Sequence, residues 1–162
     1  PARVIGDAHY EVAAQLGREK LTDMPGLNEF TAAMEKVFNA ADPDGLALFA
    51  AFKSMPLAED TPARAMQLAA SLREFRGSAH LIAIRAVGLT SKQAHYVKRP
   101  NDVKGFGWGE DDAPVVDDQV RALMVEAEKL TDALCIPAYS VLNEAERKAL
   151  VDGAKAFESA LK

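Results

Sequence analysis

Residues 73–108 read REFRGSAHLIAIRAVGLTSKQAHYVKRPNDVKGFGW, and this stretch decides the fold. Two short helical patterns meet in it across Gly88-Leu89-Thr90. Gly88 can adopt the positive φ that ends a helix, and Thr90 can cap the next helix while Gln93 completes a capping box. Because two short helices that cross steeply share one small core and need Gly in the turn, the pattern predicts a helix-turn-helix. The small or apolar residues expected in that core are Ala83, Val87, Leu89, Ala94 and Val97.

The charge of this stretch differs from that of the whole chain. The chain carries a net charge of −5, which opposes association with DNA because phosphate contacts supply most non-specific affinity. From Arg85 to Trp108, however, five cations stand against the single anion Asp102. Such a basic patch is typical of a small DNA-binding module, although a solvated helix face gives the same pattern. The residues predicted to contact DNA are Ser91, Lys92, Gln93, His95, Lys98, Arg99 and Lys104.

Most of the remaining sequence has the apolar spacing of amphipathic helices. Residues 101–116 are the exception, because alternating glycines surround Phe106 and Trp108 and are followed by Val115-Val116. This segment predicts a short β-hairpin or wing, and a surface loop pinned by the two aromatic rings is the alternative. We therefore predict a mainly α fold, a winged-helix-like helical domain with a short β-hairpin and C-terminal dimerisation helices. It would be a single domain over residues 1–162, made of N-terminal helices (1–60), the helix-turn-helix and wing (61–116) and a C-terminal helix pair (117–162).

The C-terminal helix pair suggests a partner. Apolar residues from Val120 to Leu134 alternate in steps of three and four, which makes a narrow coiled-coil-like seam. Asn143 and Glu146 form a second capping-box pattern before the last helix. Terminal amphipathic helices of this kind commonly pair with a second copy, so we predict a homodimer. Packing within one chain is the alternative.

Several classes of protein are disfavoured. The sequence has neither an apolar run near 18 residues nor a signal-peptide pattern, so we expect a cytoplasmic protein without a membrane partner. The single Cys135 cannot form a disulfide within the chain and is interpreted as a buried structural thiol. No metal-ligand spacing, phosphate-binding glycine loop or nucleophile elbow is present, so we assign no metal, cofactor or catalytic residue.

One polar group could bind a small molecule. Arg76 and His80 are four residues apart and would share a helix face, with Glu74 nearby. A histidine beside an arginine and a carboxylate could bind an anionic ligand or move a proton. The alternative is a network of hydrogen bonds on a helix surface that has no ligand.

Parts of the sequence resemble two known families. Residues 72–80 (LREFRGSAH) and 86–89 (AVGL) resemble an actinobacterial family of helix-turn-helix domains, and the likeness covers roughly residues 40–160. Residues 127–134 (AEKLTDAL) and 142–146 (LNEAE) look like the long fifth helix and the final helix of MarR-type winged-helix proteins. The latter resemblance implies a dimeric regulator that binds DNA by a recognition helix and a wing, and small ligands near the dimer helices. The N-terminus and the segment 100–116 are shorter than this pattern requires.

Three hypotheses for the function follow. The first is a ligand-responsive winged-helix transcription regulator that binds duplex DNA as a homodimer. The second is a small-molecule-binding or catalytic protein on the same scaffold that no longer binds DNA. It is favoured by the net charge, by the acidic run Glu110-Asp111-Asp112, and by Ile84 at a position where DNA-binding versions keep a small residue. The third is a helical interaction module without a site.

Overall fold

The computed structural model describes residues 2–162, apart from the side chains of Ala2, Lys104 and Glu110. Across these residues the backbone forms seven α-helices and two short 3-10 turns, at Val103–Phe106 and Glu110–Asp112. The helices are α1 (Ala2–Lys20), α2 (Leu27–Ala40), α3 (Ala47–Lys53), α4 (Thr61–Ala86), α5 (Ser91–Lys98), α6 (Asp118–Tyr139) and α7 (Glu144–Ala160). The prediction of a mainly α chain is confirmed.

The predicted β-hairpin, and with it the winged-helix fold, is wrong. No strand occurs in residues 2–162, and the segment assigned to the wing contains the two 3-10 turns instead. Its backbone groups are used locally: the N–H of Trp108 bonds the carbonyl of Val103 at 3.4 Å, and the N–H of Gly109 bonds Asp112 Oδ2 at 3.0 Å. Gly107 turns the chain with a φ of 71°. Donors that close turns within a segment are not available for a strand ladder.

The chain divides into two compact units. Unit 1 comprises the residues up to Arg76 together with Cys135–Lys162, and unit 2 comprises Gly77–Leu134. The boundaries fall inside α4 and α6, and both helices contain a residue of a type that commonly weakens or breaks a helix. Gly77 lies within α4, and Pro137 lies within the last turn of α6. A proline there removes one backbone donor, and only two residues of the helix follow it.

In unit 1, α7 packs against α2. Gly153 of α7 is buried against the ring of Phe30, and the rings of Phe30 and Phe157 lie 5.8 Å apart. An ion pair between Lys36 and Glu146 joins the same two helices. Residues of α7, one of the two helices for which pairing with a second copy was predicted, thus pack within the chain, and the homodimer stays a prediction.

Unit 1 also holds α1 tightly against α4. Gly17 approaches the first turn of α4 so closely that a Cβ atom there would lie 2.2 Å from the carbonyl oxygen of Pro62. Further along, the hydroxyl of Tyr10 lies 2.6 Å from Ser71 Oγ, and Gln67 Nε2 donates to the carbonyl of Tyr10 at 3.2 Å. These buried polar side chains fix the register of the two helices because each has its hydrogen-bond partner.

Substitution of Gly17 by alanine should therefore destabilise the protein. Gly17→Ala is expected to lower the free energy of unfolding by about 1–3 kcal/mol, because the methyl group forces two backbones apart. Helix propensity alone would change stability in the opposite direction, by up to about 1 kcal/mol. Urea unfolding followed by far-UV circular dichroism measures the difference.

Gly6, in the same helix, provides the matched control. A Cβ atom at Gly6 would lie 3.3 Å from Sδ of Met55, the flexible end of a side chain that can move away. Gly6→Ala should leave stability unchanged or raise it by up to about 1 kcal/mol. Equal effects of the two substitutions would contradict the close approach at Gly17.

Candidate nucleic-acid interface

Backbone hydrogen bonds of a Schellman motif build the turn between α4 and α5. The N–H of Leu89 donates to the carbonyl of Ile84 at 3.0 Å, and the N–H of Gly88 donates to the carbonyl of Arg85 at 3.1 Å. Gly88 has a φ of 87°, a conformation that favours glycine because a Cβ atom would be strained there. The predicted role of Gly88 as the end of the first helix is confirmed.

The start of α5 is fixed by the predicted capping box. Thr90 Oγ1 accepts a hydrogen bond from the N–H of Gln93 at 3.1 Å, and Gln93 Oε1 accepts one from the N–H of Thr90 at 3.0 Å. Two donors that a helix start leaves unsatisfied are thereby used. Gln93, which was predicted to face DNA bases, is occupied in this cap.

A small apolar core in unit 2 holds the motif together. Leu89 is only 1% exposed and is buried with Ile84 and Ala94. Ile84 is 5% exposed, so its extra volume fills the core. The buried members of this core are Ala83, Ile84, Leu89, Ala94, Val120, Met124 and Ala127. Of the five residues predicted for it, Ala83, Leu89 and Ala94 are buried, and Val87 and Val97 are partly buried against it.

Residues 103–112, named here the aromatic loop, pack on the side of α5 that faces away from this core. A helix advances about 100° per residue, so Lys92 and Tyr96, each two positions from Ala94, lie opposite to it. The ring of Trp108 stacks on Tyr96 with centroids 6.2 Å apart and an interplanar angle of 21°. Lys92 Nζ lies 5.3 Å from the centroid of the same Trp108 ring. This packing was not predicted from the sequence. The alternative to the wing, however, was a surface loop pinned by two aromatic rings, and Trp108 is one of them.

Further ring contacts extend the aromatic loop over α5. The rings of His95 and Phe106 meet edge to face at 4.4 Å, and Phe106 stacks on Trp108 at 5.1 Å. Phe106 remains 55% exposed, whereas Val103 is buried and anchors the start of the aromatic loop.

Two polar contacts complete the attachment of the aromatic loop. Lys92 Nζ lies 3.2 Å from Asp112 Oδ1, and the hydroxyl of Tyr96 donates to the carbonyl of Gly109 at 3.3 Å. The N–H of Gly109 and, next, the ammonium group of Lys92 lower the pKa of Asp112. Asp112 is thus held as a carboxylate against the first turn of α5.

The residues predicted to contact DNA divide into two groups. Ser91, Lys98 and Arg99 are exposed, whereas Lys92 and His95 are half-buried under the aromatic loop. Lys98 Nζ also forms an ion pair with Glu128 Oε1 at 2.8 Å. The side chain of Lys104 lies outside the described part of the structure.

The local charge is less basic than the linear sequence indicates. Gly77–Leu134 carries seven cations and nine anions, a net charge of −2. Asp112 and Glu128 stand 20 and 30 residues from the lysines that they pair with. No short sequence window could reveal these pairs.

The structure places the predicted ligand group in different surroundings. Glu74 forms an ion pair with its neighbour Arg73. Arg76 is exposed, and its charge partly offsets the burial that raises the pKa of Tyr139. His80 Nδ1 lies 2.9 Å from the hydroxyl of the buried Thr131. Arg76 belongs to unit 1 and His80 to unit 2, so their joint role stays a prediction.

Unit 1 contains a cavity of about 560 Å³ that sequence analysis did not anticipate. Its wall is mostly apolar and includes Phe52 and Met55, and Glu74 is the member of the predicted ligand group that lines it. Arg3 and His9 supply further polar groups. Apolar residues at helical spacing are expected in any helical protein, so their pattern gives no signal of an open space between helices.

The described residues contain no group of three or more His, Cys, Asp and Glu side chains that could hold a metal ion. None of the described helices is long and apolar enough to cross a membrane.

The attachment of the aromatic loop should depend on pH. Because the pKa of Asp112 is lowered, its contact is complete above the ordinary carboxyl value of 3.8 and is lost as the pH falls through the lowered pKa. The fluorescence of Trp108, the single tryptophan, should therefore change at a pH below 3.8. In Asp112→Asn this transition should be absent while far-UV circular dichroism is unchanged. A transition that persists in the variant would show that another group controls the aromatic loop.

No curated protein matches this chain, and no solved structure matches it. A family model described as a helix-turn-helix family matches residues 1–162. The likeness to MarR-type proteins and the actinobacterial origin stay predictions. Because the match spans the chain and the turn at Gly88 has the geometry of the motif, this protein belongs to a helix-turn-helix family.

Proposed function

We propose that this protein binds duplex DNA by placing α5 in the major groove, and that it acts there as a transcription regulator. The observation that carries the proposal is the turn at Gly88, where the Schellman bonds and the capping box fix α5 on the end of α4. Helix-turn-helix proteins use the second helix of such a pair to contact base edges. Membership of the family adds support.

The proposed DNA contacts are the exposed residues at the two ends of α5. Ser91 stands at the N-terminal end of α5, the end from which recognition helices contact bases. Lys98 and Arg99 are exposed at the other end, where cations can neutralise phosphates. Lys98 would exchange Glu128 for a phosphate. A second copy of the chain would extend the contact to a second half-site.

Charge reversal at Lys98 and Arg99 should abolish binding. Fluorescence anisotropy of a labelled random duplex, titrated with the protein from low to physiological salt, should show weak binding with a steep negative dependence on salt. Lys98→Glu/Arg99→Glu should lose that binding, because each lost phosphate contact lowers the salt slope by about one and each reversed charge also repels DNA.

The matched control changes the same charges elsewhere. Lys155→Glu/Lys162→Glu alters two exposed lysines of unit 1, one in α7 and one just after its end, and gives the same net charge. It should bind nearly as well as the parent chain. Equal loss in both double variants would indicate a general charge effect and would remove α5 as the interface.

A second candidate function is the binding of a small apolar molecule, and the cavity in unit 1 favours it. Its volume of about 560 Å³ falls within the range of roughly 300–1,000 Å³ found for ligand sites. Polar groups at Arg3, His9 and Glu74 could orient a ligand that carries a charged end. A regulator that responds to a ligand, as the resemblance to MarR-type proteins implies, would combine the two functions.

A substitution that fills the cavity tests this function. Ala51 lines the cavity from α3 and is exposed, so Ala51→Phe should fill the space without disturbing the core. The fluorescence of anilinonaphthalene sulfonate, an anionic apolar dye, should rise on binding to the parent chain and should be reduced at least several-fold in the variant. Ala154→Phe, at an exposed site on α7, is the control and should bind the dye like the parent. Identical dye binding by all three proteins would place the dye elsewhere.

A further inference from the structure

The face of α5 that a DNA groove would receive is already covered in unit 2. A recognition helix presents to the groove the side that lies away from its own core. On α5 that side carries Lys92 and Tyr96, and both contact Trp108 of the aromatic loop. His95, beside them, lies under Phe106.

The dimensions of the major groove indicate that the aromatic loop prevents α5 from entering it. The groove is about 12 Å wide, and a helix with its side chains has a diameter of about 10–12 Å. The ring centroids of the aromatic loop lie 4.4 Å to 6.2 Å from the rings of α5 that they contact. This extra layer makes α5 and the aromatic loop together too thick for the groove.

The aromatic loop also forms an ion pair with a lysine that DNA would contact. Asp112 places its carboxylate on the ammonium group of Lys92, a residue predicted to contact a phosphate. A phosphate at the same position would have to replace Asp112. The aromatic loop and DNA therefore compete for one cation as well as for one helix face.

The aromatic loop can move away from α5 without disrupting the helix-turn-helix core. The buried core around Leu89 and Ala94 contains no residue of the aromatic loop. Among the described side chains, apart from buried Val103, the attachment consists of ring contacts at the surface, the contact of Lys92 with the Trp108 ring, one partly exposed ion pair and one hydrogen bond at 3.3 Å. Gly105, Gly107 and Gly109 make the backbone of the aromatic loop adaptable.

We propose that the aromatic loop is an autoinhibitory cover of α5, and that DNA binding requires its displacement from Lys92, His95 and Tyr96. The inference rests on the proposed DNA binding, and it adds a closed state in which the interface is blocked by the chain itself. It assigns to Trp108 and Asp112 the role of holding that state closed.

Two variants open the cover, and a third controls for charge. Trp108→Ala removes the ring that contacts both Lys92 and Tyr96, and Asp112→Asn removes the carboxylate that faces Lys92. Asp111→Asn makes the same change of charge at the neighbouring exposed position, which shows no hydrogen bond or ion pair among the described residues. All three chains should retain the far-UV circular dichroism of the parent.

The measurement is the affinity for a labelled random duplex at low salt. Trp108→Ala and Asp112→Asn should bind at least tenfold more tightly than the parent chain. Asp111→Asn should differ from the parent by no more than about threefold, because it changes the general charge by one unit and removes no contact with α5. Acrylamide should quench Trp108 fluorescence more strongly in Asp112→Asn than in Asp111→Asn, which reports opening without DNA. Addition of Lys98→Glu/Arg99→Glu to either opened variant should abolish the gain.

The outcomes separate the two proposals. If the parent chain binds through Lys98 and Arg99 but the opened variants bind no more tightly than Asp111→Asn, the cover is refuted and the proposed function stands. If no variant binds even at low salt, DNA binding is refuted, and the autoinhibitory role of the aromatic loop is refuted with it. Tighter binding by both opened variants, dependent on Lys98 and Arg99, supports both.

Discussion

The positive φ of Gly88 is the constraint on which unit 2 depends. It allows the N–H of Leu89 to reach back to the carbonyl of Ile84, and this bond closes α4 while it turns the Leu89 side chain into the core. A residue with a Cβ atom would adopt this φ only with strain. Because Thr90 then caps α5, which begins at Ser91, the direction of α5 is set by the four residues that follow α4. The small core and the position of the candidate interface thus both depend on one turn.

Features that depend on residues close together in the chain could be predicted from the sequence. The turn at Gly88 and the capping boxes at Thr90 and Asn143 each involve residues no more than five positions apart, so their geometry follows from residue type and spacing. The core positions of the motif follow from the same spacing. Cys135 is also buried as predicted, since it lies on an apolar helix face.

Features that depend on contacts between distant residues could not be predicted from the sequence. Alternating glycines near Trp108 permit either a hairpin or an irregular loop, and the choice is made by the rings of His95 and Tyr96, which lie in another element. Glycine and proline commonly interrupt helices, yet Gly77 and Pro137 both lie inside helices. Local propensity is a weak guide where tertiary packing holds a helix.

These distant contacts also change the electrostatic argument about DNA. The net charge of −5 was an argument against DNA binding, but exposed charges farther away than about 8 Å are largely screened at physiological salt. What matters is the charge close to α5, where Lys92 faces Asp112 and Lys98 faces Glu128. For either lysine, contact with DNA would mean the exchange of a carboxylate for a phosphate at the same ammonium group. Under the proposed function, the negative charge that opposes DNA at α5 would come mainly from these two carboxylates, and the acidity of the rest of the chain would contribute little.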